Sequence, residues 1–181
     1  SGLEEAMFRN IEACQQLSKM TRSALGPHGK YLKNIQIFPL FCKGMNKMVI
    51  NHLDKLFVTS DAATIIKESD IHHPAAKMIA MAAKMQENEC GDGSNFVISF
   101  AGELMFQAQS LLQMGLHPSE ILIGYEKAAN KIHELMETQV CYTIKDMSNY
   151  DDVLKCMKAS VASKQYGLED LLGGLITKAC L

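Results

Sequence analysis

The chain has 181 residues, of which 48% are hydrophobic and 21% charged, as in one globular domain or one domain and part of another. This composition argues against a disordered or fibrous chain, and 18 basic against 20 acidic side chains give no net positive charge that would favour nucleic acid. No apolar run reaches the roughly 18 residues that cross a bilayer, and the N-terminus has no signal pattern. We expect a cytoplasmic protein that binds neither nucleic acid nor membranes.

A long helix and a small hairpin are predicted in the first third of the chain. Apolar residues recur every three or four positions from Leu3 to Leu25, and Gly26-Pro27 is a helix-stop signal. Two short β-prone runs, residues 48–50 and 56–59, follow on either side of a turn-like segment, and they predict the hairpin.

The rest of the chain is predicted to be helical almost throughout. Ser60 or Asp61 can cap a short helix, and Pro74 is favoured at the first position of the next one. The stripe predicted to be buried on this second helix consists of Met78, Ile79, Ala82 and Met85.

Residues 94–114 predict a core helix with one broad apolar face, and Gly115 is its candidate left-handed cap. That face is predicted to carry Val97, Phe100, Ala101, Leu104, Ala108, Leu111 and Leu112. A further helix begins at His117-Pro118. The pattern weakens between residues 138 and 150, where we expect a domain junction, and two more helices follow it, over residues 151–162 and 168–181.

The sharpest local signal is the segment Cys90-Gly91-Asp92-Gly93-Ser94-Asn95, directly before a predicted helix. Glycines let the backbone approach a phosphate closely, and a helix start supplies N–H groups and the positive end of the dipole. A carboxylate beside phosphates needs a divalent cation between them, which makes Asp92 a candidate magnesium ligand. The same residues are also typical of an ordinary loop with a helix cap, and no Walker A pattern occurs.

Three other polar or glycine-rich features are ambiguous on their own. The turn Leu25–Gly29 is compatible with a simple helix stop, and Asp61 with a helix cap. Lys164 lies at the end of a predicted helix, where a solvated lysine that complements the helix dipole is common.

Taken together and in order, five motifs resemble the group II chaperonins. They are Leu-Gly-Pro-His-Gly at 25–29, Met-Asn-Lys-Met at 45–48, Thr-Ser-Asp-Ala-Ala-Thr at 59–64, His-Pro-Ala-Ala-Lys at 73–77 and Gly-Asp-Gly-Ser at 91–94. The resemblance covers nearly the whole chain except residues 30–44. It implies a mainly α, multihelical segment of a chaperonin equatorial domain with a small β-hairpin, followed by the start of an intermediate domain. Residues 1–137 would form the N-terminal half of the equatorial ATP-binding domain, and residues 138–181 the start of the intermediate domain.

The resemblance also implies ATP and Mg²⁺ as cofactors and assigns residues to them. Asp92 would hold the magnesium ion, and Asp61 would act in catalysis by helping to order the attacking water. The nucleotide-binding residues would be Leu25, Gly26, Pro27, Gly29, Gly91, Asp92, Gly93, Ser94, Asn95 and Lys164.

The function implied is that of a subunit, present here as a fragment or short isoform, of a cytosolic ATP-dependent chaperonin that assists protein folding. ATP binding and hydrolysis would drive ring closure in the intact protein. The partners implied are other chaperonin subunits in a double hetero-oligomeric ring, and unfolded client proteins held by an apical domain that this chain lacks. We do not expect this chain to hydrolyse ATP alone. The alternative is a non-catalytic helical interaction module that retains only part of the inter-subunit surface.

The sequence departs from the family pattern at two places. Residues 30–44 stand as an atypical insertion after Gly29, and they would displace a turn expected to contact phosphate. Ser60 also replaces the asparagine usual in the family. With half of the equatorial helices missing, the helix over residues 94–114 is expected to expose apolar surface and to bind hydrophobic dyes.

Overall fold

The computed structural model describes residues 2–25, 46–51, 53–69, 71–165 and 167–181. These residues form seven α-helices and one two-stranded antiparallel sheet, which confirms the prediction of a mainly helical chain with a small hairpin. The elements are α1 (Gly2–Arg22), β1 (Lys47–Ile50), β2 (Leu56–Thr59), α2 (Ala62–Glu68), α3 (Pro74–Cys90), α4 (Ser94–Gln113), α5 (Pro118–Met136), α6 (Tyr150–Ala162) and α7 (Glu169–Cys180). None of the helices in the described ranges has the length and apolar content needed to span a membrane.

A buried asparagine fixes the hairpin and joins it to α2. The side-chain oxygen of Asn51 accepts hydrogen bonds from the backbone N–H groups of Leu53, at 2.9 Å, and Lys55, at 3.0 Å. Its amide nitrogen donates to the Glu68 carboxylate at 3.0 Å. Because a buried amide is costly unless its hydrogen bonds are made, Asn51 specifies both the turn and its attachment to the helix.

The chain divides into two compact units, residues 1–109 and residues 110–181, at a point inside α4. The predicted domain boundary after residue 137 concerns the domains of the longer family proteins, and it stays a prediction. In the first unit, side chains from four helices meet in one hydrophobic cluster. Its buried members are Cys14 and Leu17 of α1, Ala62 and Ile66 of α2, Ala76, Ile79 and Ala83 of α3, and Ile98 of α4.

In the second unit, burial is concentrated where α6 packs against α7. A Cβ atom placed on Gly173 would lie 3.0 Å from Lys158 Cγ, so the glycine allows the two helices to approach closely. The hydroxyl of Thr177, which is fully buried, donates to the Gly173 carbonyl at 2.7 Å. An ion pair of 2.6 Å between Lys158 and Asp170 crosses the same helix pair.

The predicted buried stripe of α3 is wrong at three of its four positions. Met78 is 72% exposed, Ala82 and Met85 are also exposed, and only Ile79 is buried as predicted. The face that packs into the core carries Ala76, Ile79 and Ala83 instead. The helix has apolar residues on more than one side, and the small alanines allow the closer packing, so periodicity alone selected the wrong side.

The predicted core face of α4 is also partly wrong. Phe100 is 49% exposed and stacks on Phe96, with ring centroids 5.7 Å apart. Ser94, Ile98 and Gly102 are buried instead, each four residues from the next, so a stripe of small residues flanks one isoleucine. Of the predicted face only Ala108 is buried, and the other five positions are half-buried: Val97, Ala101, Leu104, Leu111 and Leu112.

The predicted cap of α4 is confirmed. Gly115 has a φ of 93°, in the left-handed region that favours glycine. Its N–H donates to the Leu112 carbonyl at 3.0 Å, and the Leu116 N–H donates to the Leu111 carbonyl at 3.2 Å. These two bonds make a Schellman motif, which satisfies carbonyls at the end of the helix.

Candidate functional site

The loop between α3 and α4 consists of only three residues, 91–93. Gly91 and Gly93 have φ values of 70° and 85°, so both lie in the left-handed region where a side chain would be strained. The Gly91 N–H donates to the Glu87 carbonyl at 2.8 Å and ends α3. The Asp92 carboxylate accepts the Gly93 N–H at 2.7 Å, which holds the acidic side chain at the first turn of α4.

A glutamine on α3 forms a hydrogen bond to the backbone of this loop. The side-chain nitrogen of Gln86 donates to the Asp92 carbonyl oxygen at 3.0 Å. A Cβ atom on Gly93 would lie 3.0 Å from the same nitrogen, so the glycine makes room for the contact. Gln86 could not be identified from the sequence, because no spacing rule marks a supporting residue on the preceding helix.

The first turn of α4 is joined to the last turn of α1. The Asn95 side-chain nitrogen donates to the Thr21 carbonyl oxygen at 3.1 Å, between residues 74 positions apart. Thr21 is fully buried, and its hydroxyl donates to the Ser18 carbonyl at 3.4 Å. Leu25 follows in a turn in which its N–H donates to the Arg22 carbonyl at 3.2 Å. The end of α1 therefore lies at the start of α4.

The two helices also touch two turns farther along α4. A Cβ atom on Gly102 would lie 2.2 Å from the Ser18 Cβ and 2.3 Å from its hydroxyl oxygen. Real side chains do not approach that closely, so only glycine fits without moving α1. Gly102 was not among the predicted core residues, although glycine in a long apolar helix was an available signal for close packing.

Gly26, Pro27 and Gly29 are the other residues after α1 that are predicted from the sequence to bind nucleotide. They lie outside the described residues, as does the predicted insertion at 30–44. Their proximity to the loop at residues 91–93 stays a prediction.

Asp61 caps α2 at the point where β2 ends. One carboxylate oxygen, Oδ2, accepts the Thr64 N–H at 2.8 Å and the Thr64 hydroxyl at 2.6 Å. The side chain is exposed, so it is open to water as well as to the helix terminus. The cap interpretation is confirmed, and a role in ordering an attacking water stays a prediction.

Lys164 lies just after α6 in the second unit. Its N–H donates to the Val161 carbonyl at 2.9 Å, and the residue is exposed. This position agrees with a lysine at a helix C-terminus, where positive charge is favourable. Its approach to a bound nucleotide stays a prediction.

The residues at the start of α4 fit a magnesium ion held together with phosphate better than a metal held by protein alone. Among the described residues, no group of three His, Cys, Asp or Glu side chains is arranged to hold a metal ion. Magnesium is usually bound through one or two carboxylates, waters and substrate phosphates. A single carboxylate, Asp92, lies in a glycine turn at the N-terminus of a 20-residue helix, which suits that arrangement.

Comparison with known proteins identifies the family. Residues 40–181 match the sequence profile of the TCP-1/cpn60 chaperonin family. The chain belongs to this family. The resemblance to chaperonins drawn from the five motifs is thereby confirmed.

Individual relatives carry the name T-complex protein 1 subunit theta. Those of Dictyostelium discoideum and Arabidopsis thaliana are 52% identical to this chain, over 181 and 183 residues respectively. That of Homo sapiens is 51% identical over 181 residues. Each comparison covers the whole of this chain, which spans 30% to 31% of the length of these relatives.

Proposed function

We propose that this chain is part of a subunit of a cytosolic, ATP-dependent chaperonin that assists protein folding. Membership of the chaperonin family and about 50% identity to T-complex protein 1 subunit theta support the proposal. The proposed partners are other chaperonin subunits in a hetero-oligomeric double ring, and unfolded client proteins. The proposed cofactors are ATP and Mg²⁺.

The hydrogen bond from Asn95 to Thr21 is the observation that carries the nucleotide part of this proposal. It joins the end of the helix that precedes Gly26-Pro27 in the sequence to the start of the helix that follows the Gly91–Gly93 loop. A phosphate group requires N–H donors, close backbone approach and positive potential, and a helix N-terminus beside glycine turns offers all three. The proposed phosphate-binding residues are Leu25, Gly26, Pro27, Gly29, Gly91, Gly93, Ser94 and Asn95, with Lys164 reaching the terminal phosphate.

Asp92 and Asp61 would have different tasks at such a site. The Gly93 N–H donates to one carboxylate oxygen of Asp92, and the side chain of Gln86 donates to the backbone carbonyl of Asp92. The carboxylate would hold a magnesium ion, which when bound offsets the negative charge of the phosphates. Thr64 fixes Oδ2 of Asp61, and Oδ1 would accept a hydrogen bond from the attacking water. Catalysis would then depend on positioning rather than on a covalent intermediate.

A second candidate function is a non-catalytic interaction module. The exposed apolar face of α5 favours it: Leu122, Ile132 and Met136 are all exposed, and Ile121 is the buried residue of that helix. Such a face is typical of a surface that packs against another protein or another part of a longer chain. This function would require no nucleotide.

Calorimetric titration of the 181-residue chain with magnesium-ADP separates the two functions. The variant Asp92→Asn removes the charge at constant size, and Glu126→Gln makes the same change on α5. We expect magnesium-ADP to bind the unchanged chain and Glu126→Gln equally, and Asp92→Asn at least about tenfold more weakly, because a magnesium ligand is lost. Absence of binding by a folded chain, or equal binding by Asp92→Asn, would contradict the nucleotide site and favour the interaction module.

A further inference from the structure

A groove in the described part of the first unit lies between α2 and α3. Its volume is about 740 Å³. None of the described residues proposed above to contact nucleotide or magnesium lines it, although Thr64, which holds the Asp61 carboxylate, does. The groove is therefore a surface with no assigned function.

The groove carries an excess of positive charge. Lys67 of α2 and Lys77 and Lys84 of α3 line it, together with one acidic side chain, Glu87. All three lysines are exposed, and none of them forms an ion pair with an acidic residue in the described ranges. Asp70 lies outside the described residues. Unneutralised lysines facing one groove favour a ligand with negative charge.

The spacing of the lysines matches that of side chains on a helix. Lys77 and Lys84 are seven residues apart, which places them on one side of α3 and about 10 Å apart along its axis. Lys67 lies in the last turn of α2, on the opposite wall of the groove. A helical ligand with acidic residues seven positions apart has the same spacing along its own axis.

Apolar side chains also line the groove, and we call them its apolar floor: Ile66, Ile71, Ala80 and Met81. Met81 is 65% exposed. The polar side chains of Thr64, Ser69 and Asn88 line the groove as well. Methionine adapts its shape to an apolar partner, and burying it releases ordered water from both surfaces. A polyanion such as nucleic acid would leave this floor in contact with its charged backbone, whereas a helix with one acidic and one apolar stripe would cover both features.

We propose that the groove between α2 and α3 binds an acidic, amphipathic helical segment of a partner protein. The segment carries two acidic side chains seven residues apart that pair with Lys77 and Lys84, and a third acidic group that faces Lys67. Leucine-sized side chains between the acidic ones occupy the apolar floor. The proposal does not depend on nucleotide binding.

The test uses the full chain and a fluorescein-labelled synthetic helix of 14 residues, with Glu seven positions apart and Leu at the three- and four-residue steps between them. A matched peptide has Lys in place of each Glu. Fluorescence anisotropy is measured for the unchanged chain, for Lys77→Glu/Lys84→Glu, and for the control Lys127→Glu on α5, with folding checked by circular dichroism. We expect the acidic peptide to bind the unchanged chain and the control alike, more weakly as salt rises.

We expect the double charge reversal to lose at least about tenfold in affinity for the acidic peptide and to gain affinity for the lysine peptide. Equal binding of the acidic peptide by the reversed chain would overturn the proposal. So would binding of single-stranded DNA that displaces the peptide at equal or lower concentration, since the groove would then be a general polyanion site. Self-association of the unchanged chain that the double reversal abolishes would assign the groove to a second copy instead.

Discussion

The two units of the chain use their apolar residues differently. In residues 1–109, small and branched side chains from four helices meet in one cluster, and Gly102 brings α4 against Ser18 of α1. In residues 110–181, α5 has a clear apolar stripe, yet most of that stripe is exposed, and burial is limited mainly to the α6–α7 contact. An amphipathic pattern therefore predicts a helix reliably, whereas close packing depends on small residues at the contact.

The largest expected difference between the units comes from truncating one isoleucine in each. Ile98 is 0% exposed in α4, and Ile98→Ala should lower the free energy of unfolding by about 2–5 kcal/mol, because it removes buried methyl groups and leaves a cavity. Ile132 is 55% exposed in α5, and Ile132→Ala should change the free energy of unfolding by less than about 0.5 kcal/mol. Urea denaturation monitored by circular dichroism measures both. Similar losses in the two variants would contradict the comparison.

A glycine pair sharpens the same comparison. Gly102→Ala would place its Cβ 2.2 Å from the Ser18 Cβ, and forcing α1 and α4 apart should cost about 1–3 kcal/mol. Gly124 lies inside α5 with no atom within 4 Å of an added Cβ, so Gly124→Ala should stabilise by about 0.5–1 kcal/mol through its better helix propensity. Thermal melts of the two variants should shift in opposite directions. Ser18→Gly should recover part of the loss in Gly102→Ala, and the lack of any recovery would place the strain elsewhere.

The loop that joins α3 to α4 tests whether the first unit positions the proposed site. Gln86→Ala removes the hydrogen bond to the Asp92 carbonyl, which should weaken magnesium-ADP binding through about 0.5–1.5 kcal/mol of lost loop stability. Gln107→Ala removes a glutamine hydrogen bond of the same length, to the exposed Glu103 carboxylate within α4, and should leave binding unchanged. Calorimetric titration of both variants with magnesium-ADP measures the two affinities. Equal affinities in Gln86→Ala and the unchanged chain would mean that the loop holds its shape without this contact.

The smallest effect is expected from the ion pair of the second unit. The hydrogen bond and charge of Lys158 lower the pKa of Asp170, and Asp170 raises the pKa of Lys158 in the same way. Because the pKa of Asp170 is lower in the folded than in the unfolded chain, its carboxylate stabilises the fold at pH values above the unfolded pKa. This stabilisation is lost as the pH falls through the folded pKa. Because the pKa of Lys158 is higher in the folded chain, its ammonium group stabilises the fold at pH values below the unfolded pKa, and this is lost as the pH rises through the folded pKa.

The pair should therefore contribute from about pH 4 to about pH 10, and only weakly, because Asp170 is 92% exposed. Asp170→Asn should flatten the decrease in melting temperature between about pH 5 and pH 3, relative to Glu126→Gln. An unchanged acid slope in Asp170→Asn would show that other carboxylates determine it.

Much of the local structure could be predicted from the sequence, because glycine, proline and capping residues act through nearby backbone. The turn at Gly91–Gly93, the cap at Asp61 and the Schellman motif at Gly115 all follow from residue types that favour those conformations. The proposed roles of these residues in nucleotide binding came from family resemblance, since a glycine loop with a helix cap has the same local pattern without a ligand.

The contacts between distant segments could not be predicted in this way. The Asn95–Thr21 bond joins residues 74 positions apart, and the Gln86 contact depends on how α3 ends. The buried faces of α3 and α4 were missed because large apolar residues lie on several sides of these helices, while the packed sides carry Ala83 or Gly102. Helical periodicity weights large side chains, and close helix contacts favour small ones.

The central claim is that the end of α1 and the start of α4 together hold the nucleotide phosphates. The most direct test replaces magnesium by paramagnetic manganese and follows the backbone amide signals of the chain by NMR as manganese-ADP is added. We expect selective broadening at residues 21–25 and at residues 91–95, and we expect it to be absent in Asp92→Asn. Broadening that is confined to residues 91–95, or that is equally strong with manganese alone, would contradict a phosphate site shared by the two helix ends.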